Sequence, residues 1–298
     1  MSGRILVSGS SGLIGAALLG ALQTSGYEVT RLVRGAASGK GRIAWDPAQP
    51  LAPESVSGFD AVIHLAGESI VGRWTQAKKR RILESRVQGT RKVAEALAAT
   101  PQRPRLLISA SAIGYYGDRG EEMLHEGSPS GNGFLPEVCR DWEAAAEPAT
   151  KAGIRTVQMR FGVGLSASGG ALQAMLFPFR MGVGGKVGNG RQWMSWVDLN
   201  DAVGALQHVI KTDTLQGPVN MVAPNPVRNA EFTKTLASVL SRPAVLPMPA
   251  FAASLVFGQM ADELLLASQR VAPTKLMASG YVFQQTELRN SLERILNK

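Results

Sequence analysis

Residues 4–15 read RILVSGSSGLIG. An apolar run, RILVS, stops at a glycine. Two further glycines follow at intervals of three, and LIGAALLGALQT then carries the spacing of an amphipathic helix. This strand, glycine turn and helix form the first half of a βαβ unit. Each glycine has its own reason to be there. Gly9 permits the tight turn, Gly12 lets backbone approach a pyrophosphate, and Gly15 lets helix and strand pack closely. The helix start offers N–H groups and a positive dipole end to phosphate. Gly9, Ser11, Gly12, Leu13, Ile14 and Gly15 are therefore the expected dinucleotide loop.

The pattern repeats outward from this point. YEVTRLVR (27–34) and FDAVIHLAG (59–67) read as strands, TQAKKRRILESRVQGTRKVAEALAAT as a long helix, and RLLISAS (105–111) as the next strand. A single helix is expected over 136–153 and a single strand over 154–165, IRTVQMRFGVGL. Strands separated by helices imply a doubly wound parallel sheet. The expected fold is α/β and Rossmann-like, with a nucleotide-binding domain over 1–165. A smaller C-terminal α/β lobe is expected over 166–298, because the texture after residue 165 turns glycine-rich. Within it, 198–212, NAEFTKTLASVLSR and TELRNSLERIL read as helices, GPVNMVA as a short strand, and Asn229 as an N-cap.

The strand after the glycine loop decides which dinucleotide is held. A carboxylate at its end binds the ribose 2′-hydroxyl of NAD, whereas arginine accommodates the 2′-phosphate of NADP. Here it ends VTRLVRG, with Arg31 and Arg34 and no carboxylate. Guanidinium groups match a phosphate in charge and fork geometry, so NADP is expected.

Composition narrows the alternatives. Of 298 residues, 45% are hydrophobic and 18% charged, the profile of a globular chain. The net charge of +9 raises nucleic-acid binding. The densest run, KKRR at 78–81, has only one Trp interleaved in its segment and no nucleic-acid motif, so it reads as a solvated helix face. Cys139 is the single cysteine, which excludes an internal disulfide and suits a reducing compartment. Neither a signal peptide nor an apolar window of bilayer length is seen. A cytoplasmic protein is expected, monomer or homodimer, with a small-molecule substrate and with neither nucleic acid nor membrane as partner. His64, His125 and His208 are scattered, and no metal site is expected.

These stretches together resemble the extended short-chain dehydrogenase/reductases, the nucleotide-sugar epimerase/dehydratase group, over nearly the whole chain. GSSGLIG is similar to that group's glycine loop, DAVIHLAG to its strand passing the adenosine, and SRVQGT to its Asn-Val-x-Gly-Thr, with Arg86 in place of the Asn. SASAIGYYG (109–117) resembles the stretch carrying its catalytic hydroxyl, which falls on Ser111. VCRDWEAAA, LFPFRMGVGGKVGNGRQ, WMSWVDLND and GPVNMVAPNPVRNAEF are more closely similar to an atypical "epimerase family protein" branch with its own C-terminal domain. The resemblance implies NADP, with Leu65, Ala66, Gly67, Arg86, Ser109 and Arg160 joining the cofactor residues. It implies Arg191 and Trp193 at the substrate.

One departure matters most. The group's Tyr-x-x-x-Lys pair, in which lysine lowers the tyrosine pKa for proton transfer, is missing. Leu135 and Cys139 fall at its positions. Tyr115 and Tyr116 are the substitutes considered, with Arg86 or Arg140 as the replacement cation and Cys139 as a thiol acid/base. The expected function is an NADP-binding oxidoreductase or epimerase-like enzyme. The alternative is a non-catalytic NADP sensor or scaffold.

Overall fold

The computed structural model describes residues 3–35 and 39–297. Its centre is a sheet of seven strands: β1 (Arg4–Ser8), β2 (Glu28–Arg34), β3 (Arg42–Trp45), β4 (Ala61–His64), β5 (Leu106–Ala112), β6 (Arg155–Phe161) and β7 (Gly217–Met221). They lie in the order β7-β6-β5-β4-β1-β2-β3, every pair parallel. Interior strands are covered on both faces, which is why RILVS and AVIH are near-continuous apolar runs.

The helices in chain order are α1 (Leu13–Thr24), α2 (Gln76–Ala99), α3 (Phe134–Ala144), α4 (Glu147–Lys151), α5 (Gly170–Arg180), α6 (Leu199–Lys211), α7 (Asn229–Leu240), α8 (Ala250–Phe257), α9 (Thr274–Ala278) and α10 (Leu288–Leu296). One face of the sheet carries α1 and α6, packed through Leu18, Leu22, Leu206 and Val209 onto Ile5, Val7, Ile63 and Ile108. The opposite face carries α2 and α4, through Val93, Leu97 and Ala149 onto Leu6, Val62 and Leu107. The C-terminal lobe has a core of its own, where α5, α7 and α10 close around Trp196 and Phe232.

Four local expectations need correction. The helix expected over 136–153 is two, α3 and α4, because Pro148 in the first turn of α4 has no N–H for a continuous ladder. The strand expected over 154–165 breaks at Gly162. Beyond it, 163–165 pairs with 196–198 in a separate ladder, and a Cβ at Gly162 would stand 2.5 Å from the Ser195 carbonyl oxygen. Asn229 is not the cap of α7. It is the first helical residue, and its side-chain oxygen accepts from the Val187 backbone N–H. The boundary at residue 165 does not divide the sheet either, since α6 and β7 lie beyond it and complete the first domain. The edge strand β3, four residues long, carried no periodicity strong enough to read.

Candidate functional site

The strand order reverses at β1, which has β2 on one side and β4 on the other. In such sheets the crevice beyond the carboxyl ends of the two flanking strands is the ligand site. The backbone here is shaped for it. Gly9 has φ +67°, and a Cβ on it would fall 2.6 Å from the Leu65 carbonyl carbon. A Cβ on Gly15 would fall 2.3 Å from the Gly9 oxygen, so only glycine lets α1 close on the loop. Gly12 N–H donates to Gly9 O at 3.0 Å and begins α1 with no side-chain cap and no acid in the first turn. What results is a cradle of backbone with a positive helix end. It fits a pyrophosphate. Arg34 ends β2 exposed, and Arg31 sits half-buried in register with Val7.

Across the crevice, Leu65 and Ala66 are partly covered and Gly67 is exposed. Arg86 reaches toward this turn from α2. Its Nη1 donates to the Glu68 and Ile82 carbonyls at 2.9 and 3.3 Å, and its guanidinium lies 5.0 Å from the Trp142 ring. A Cβ on Gly67 would come 3.4 Å from the Arg86 guanidinium carbon. Burial pulls the Arg86 pKa below its ordinary value, an effect the Cys139 and Glu68 charges oppose. Arg140, by contrast, turns away and donates to Ser130 Oγ and Gly131 O. Of the two arginines considered as replacement cations, only Arg86 stands at the crevice.

The SASAIGYYG stretch is β5 running into a short 3-10 turn. Strand alternation sends Ser109 and Ser111 to the α2–α3 side of the sheet. Ser111 is buried and donates to Glu143 Oε1 at 2.6 Å. Glu143 in turn holds Arg160 at both carboxylate oxygens, Nε and Nη2 each at 2.8 Å. Arg160 Nη1 donates to the Tyr116 hydroxyl at 2.9 Å, and Tyr116 donates to Asn220 Oδ1 at 2.7 Å. Burial disfavours the Arg160 charge, but the bidentate Glu143 overrides it and raises the pKa. Tyr116 is pushed up by burial, partly offset by Arg160.

This chain of bonds corrects the expectations for two residues. Arg160 has a side chain only 3% exposed and is committed to Glu143 and Tyr116, so it does not present itself to a cofactor. Tyr116 is fully buried with its hydroxyl enclosed, and it cannot reach a substrate. Tyr115 remains half-exposed, with the Arg160 guanidinium 3.5 Å from its ring centroid. Cys139 packs in the interior, where burial first and Glu143 second push its thiol up to about 12, so it is no proton carrier near neutral pH. Ser109 is enclosed in the sheet.

Trp193 lies between two guanidinium groups, Arg228 at 4.6 Å and Arg270 at 4.5 Å, and donates from Nε1 to Glu121 at 2.9 Å. The Arg191 side chain is exposed nearby, and its carbonyl accepts from Arg228. Glu121, Arg228 and Arg270 escaped the sequence reading because they come together only through contacts between distant segments. Among the described residues, no cluster of His, Cys, Asp or Glu could hold a metal ion.

Residues 5–222 match the model of the NAD dependent epimerase/dehydratase family. The chain belongs to that family. Residues 248–295 match a second model, a domain of unknown function. An epimerase family protein of Mycobacterium bovis is 40% identical over 290 residues, which span 97% of this chain and 96% of the relative. The crystal structure of the human epimerase family protein SDR39U1, solved with NADPH, superposes with a TM-score of 0.91 at 36% identity, covering 99% of both chains. A UDP-galactose 4-epimerase structure at 20% identity and TM-score 0.74 shares the fold. The extended short-chain resemblance, the α/β sheet and the additional C-terminal domain are all borne out.

Proposed function

We propose that the protein is an NADP-binding oxidoreductase or epimerase-like enzyme of the extended short-chain dehydrogenase type, acting on a small metabolite. One observation carries the reading. A glycine cradle that any Cβ would fill opens at the switch point of the sheet, beside a strand ending in arginine rather than carboxylate. The human relative solved with NADPH supports the same dinucleotide.

The loop from Gly9 to Gly15 and the start of α1 would hold the pyrophosphate, Arg34 with Arg31 the 2′-phosphate, and Leu65, Ala66 and Gly67 the adenosine side. When bound, the nicotinamide supplies a hydride donor or acceptor. Arg86 stands beside Gly67 as the cation of the crevice, while the Ser111–Glu143–Arg160 bonds fix α3 against β5 and β6. Tyr115 is the phenol left to carry a proton, and Arg191 and Trp193 border the substrate. The non-catalytic sensor reading draws on Leu135 and Cys139, neither of which transfers a proton near neutral pH.

NADPH titration followed by thermal shift tests the cofactor. Arg34→Glu should weaken NADPH by more than about tenfold while leaving NADH nearly unchanged, because only NADPH has the 2′-phosphate. Equal losses for both would overturn the NADP assignment. Binding without oxidation across a broad panel of carbonyls and nucleotide sugars would favour the sensor.

A further inference from the structure

The C-terminal lobe carries an apolar face that stays exposed among the described residues. α8 reads AFAASLVF, without a charged residue, and Phe251 and Leu255, one turn apart, are 75% and 73% exposed. The preceding segment adds Val245 at 74%, and the end of α5 adds Phe177 at 75% and Met181 at 65%. The segments that carry these side chains are neighbours in the lobe. A Cβ on Gly182 would touch Pro243, Arg242 donates to the Arg180 carbonyl, and Val187 bridges Met248. Exposed apolar patches of this extent mark an interaction site rather than an ordinary surface.

The charge around the face selects the occupant. From 170 to 186 and from 241 to 258 there is no Asp or Glu, while Arg180, Lys186 and Arg242 are all exposed. Beside the face lies a cleft of about 340 Å³, lined by Lys186, Lys234, Thr233 and Val245, which brings two lysines to its wall. The acids at the margin are Asp262, which accepts from Ser254 Oγ, and exposed Glu231 on α7. An isologous contact between two copies would tend to set these cations against their own equivalents. An anionic bilayer surface offers what the face lacks, acyl carbon for Phe251 and Leu255 and phosphate for the lysines and arginines.

We propose that this face docks on the surface of an anionic lipid bilayer. No helix among the described residues is long and apolar enough to cross a membrane, and attachment of this kind needs none. It departs from the sequence expectation that no membrane is a partner.

Vesicle co-sedimentation of the full chain tests it. The protein should pellet with phosphatidylcholine vesicles containing roughly one-third phosphatidylglycerol and stay in solution with phosphatidylcholine alone, with binding falling as salt rises. Phe251→Glu combined with Leu255→Glu should abolish pelleting at unchanged melting temperature. Lys186→Glu with Arg242→Glu should weaken it by at least about tenfold, and that pair carries the test if the apolar variant does not fold. The proposal is overturned if the wild-type chain ignores anionic vesicles. It is equally overturned if sedimentation velocity shows a dimer that the Phe251/Leu255 variant splits, which would give the face to a second copy.

Discussion

At His64 the two ring nitrogens have unequal fates. Nδ1 lies 2.7 Å from Ser8 Oγ, while Nε2 is buried without a partner near Trp45 and Gly89. Burial drops its pKa from 6.5 to about 4. Between those values the unfolded chain binds a proton that the folded chain refuses. Stability is therefore full above about pH 6.5 and drains as pH falls toward 4. About 2 kcal/mol should be lost by pH 5 through this residue. His64→Gln should flatten the dependence of urea-unfolding free energy over pH 7 to 5, and parallel curves for variant and wild type would refute the assignment. Residues differ in how visible such roles are beforehand. Gly9 and Gly15 announce themselves because their reason is local backbone geometry. Ser111 does not, because the carboxylate that accepts its hydrogen bond lies 32 residues downstream and is itself committed to Arg160.

Among the elements, α3 shows how a helix end can be satisfied from far away. Its N-cap is Gly133, which has no side chain to offer. Instead, the Glu263 carboxylate accepts from Phe134 N–H at 3.1 Å and Leu135 N–H at 2.7 Å, while Gln259 steadies it. The carboxylate also meets the positive end of the helix dipole. Glu263→Ala should cost about 1–2 kcal/mol in denaturant unfolding, and Glu263→Gln less, since one acceptor remains. No difference between the two would mean that Glu263 acts by packing rather than as a cap. The helical period of α1, α2 and α6 was readable because each has a buried stripe along one face. The break between α3 and α4 was signalled by Pro148, but the alanines around it read as continuous helix. For β3 the four residues are too few to establish a period of two.

On the scale of the whole molecule, two buried carboxylates on α6 and at its start bind the last stretch of chain to the first domain. Asp201 on α6 accepts from the N–H groups of Gln284 and Gln285 at 2.7 and 2.8 Å and from the Tyr281 hydroxyl. Asp198 at the start of α6 accepts from Ser291 and Arg294. Asp201→Ala strands two backbone donors and should lower stability by about 2–4 kcal/mol. It should also open residues 280–286 to limited proteolysis; cleavage no faster than in the wild-type chain would show that the segment is held by Tyr281 and Phe283 packing alone. The α/β alternation foretold the sheet, and the change of texture at residue 165 foretold a second lobe. Where the chain would re-enter the sheet was not legible, because β7 is a five-residue strand that begins at Gly217, 56 residues after its partner β6 ends at Phe161.

That re-entry governs how the molecule can be made. The chain leaves the sheet at Gly162 and does not supply the covering strand until Gly217. While the intervening residues emerge from the ribosome, β6 stands as a bare rim whose peptide groups on the side away from β5 are unmatched, a template onto which another strand can add. A gene cut at the apparent border would freeze that state permanently. The nucleotide-binding half is thus not a cassette that evolution or an engineer can lift out and splice elsewhere; its inheritance is tied to that of the lobe threaded through it.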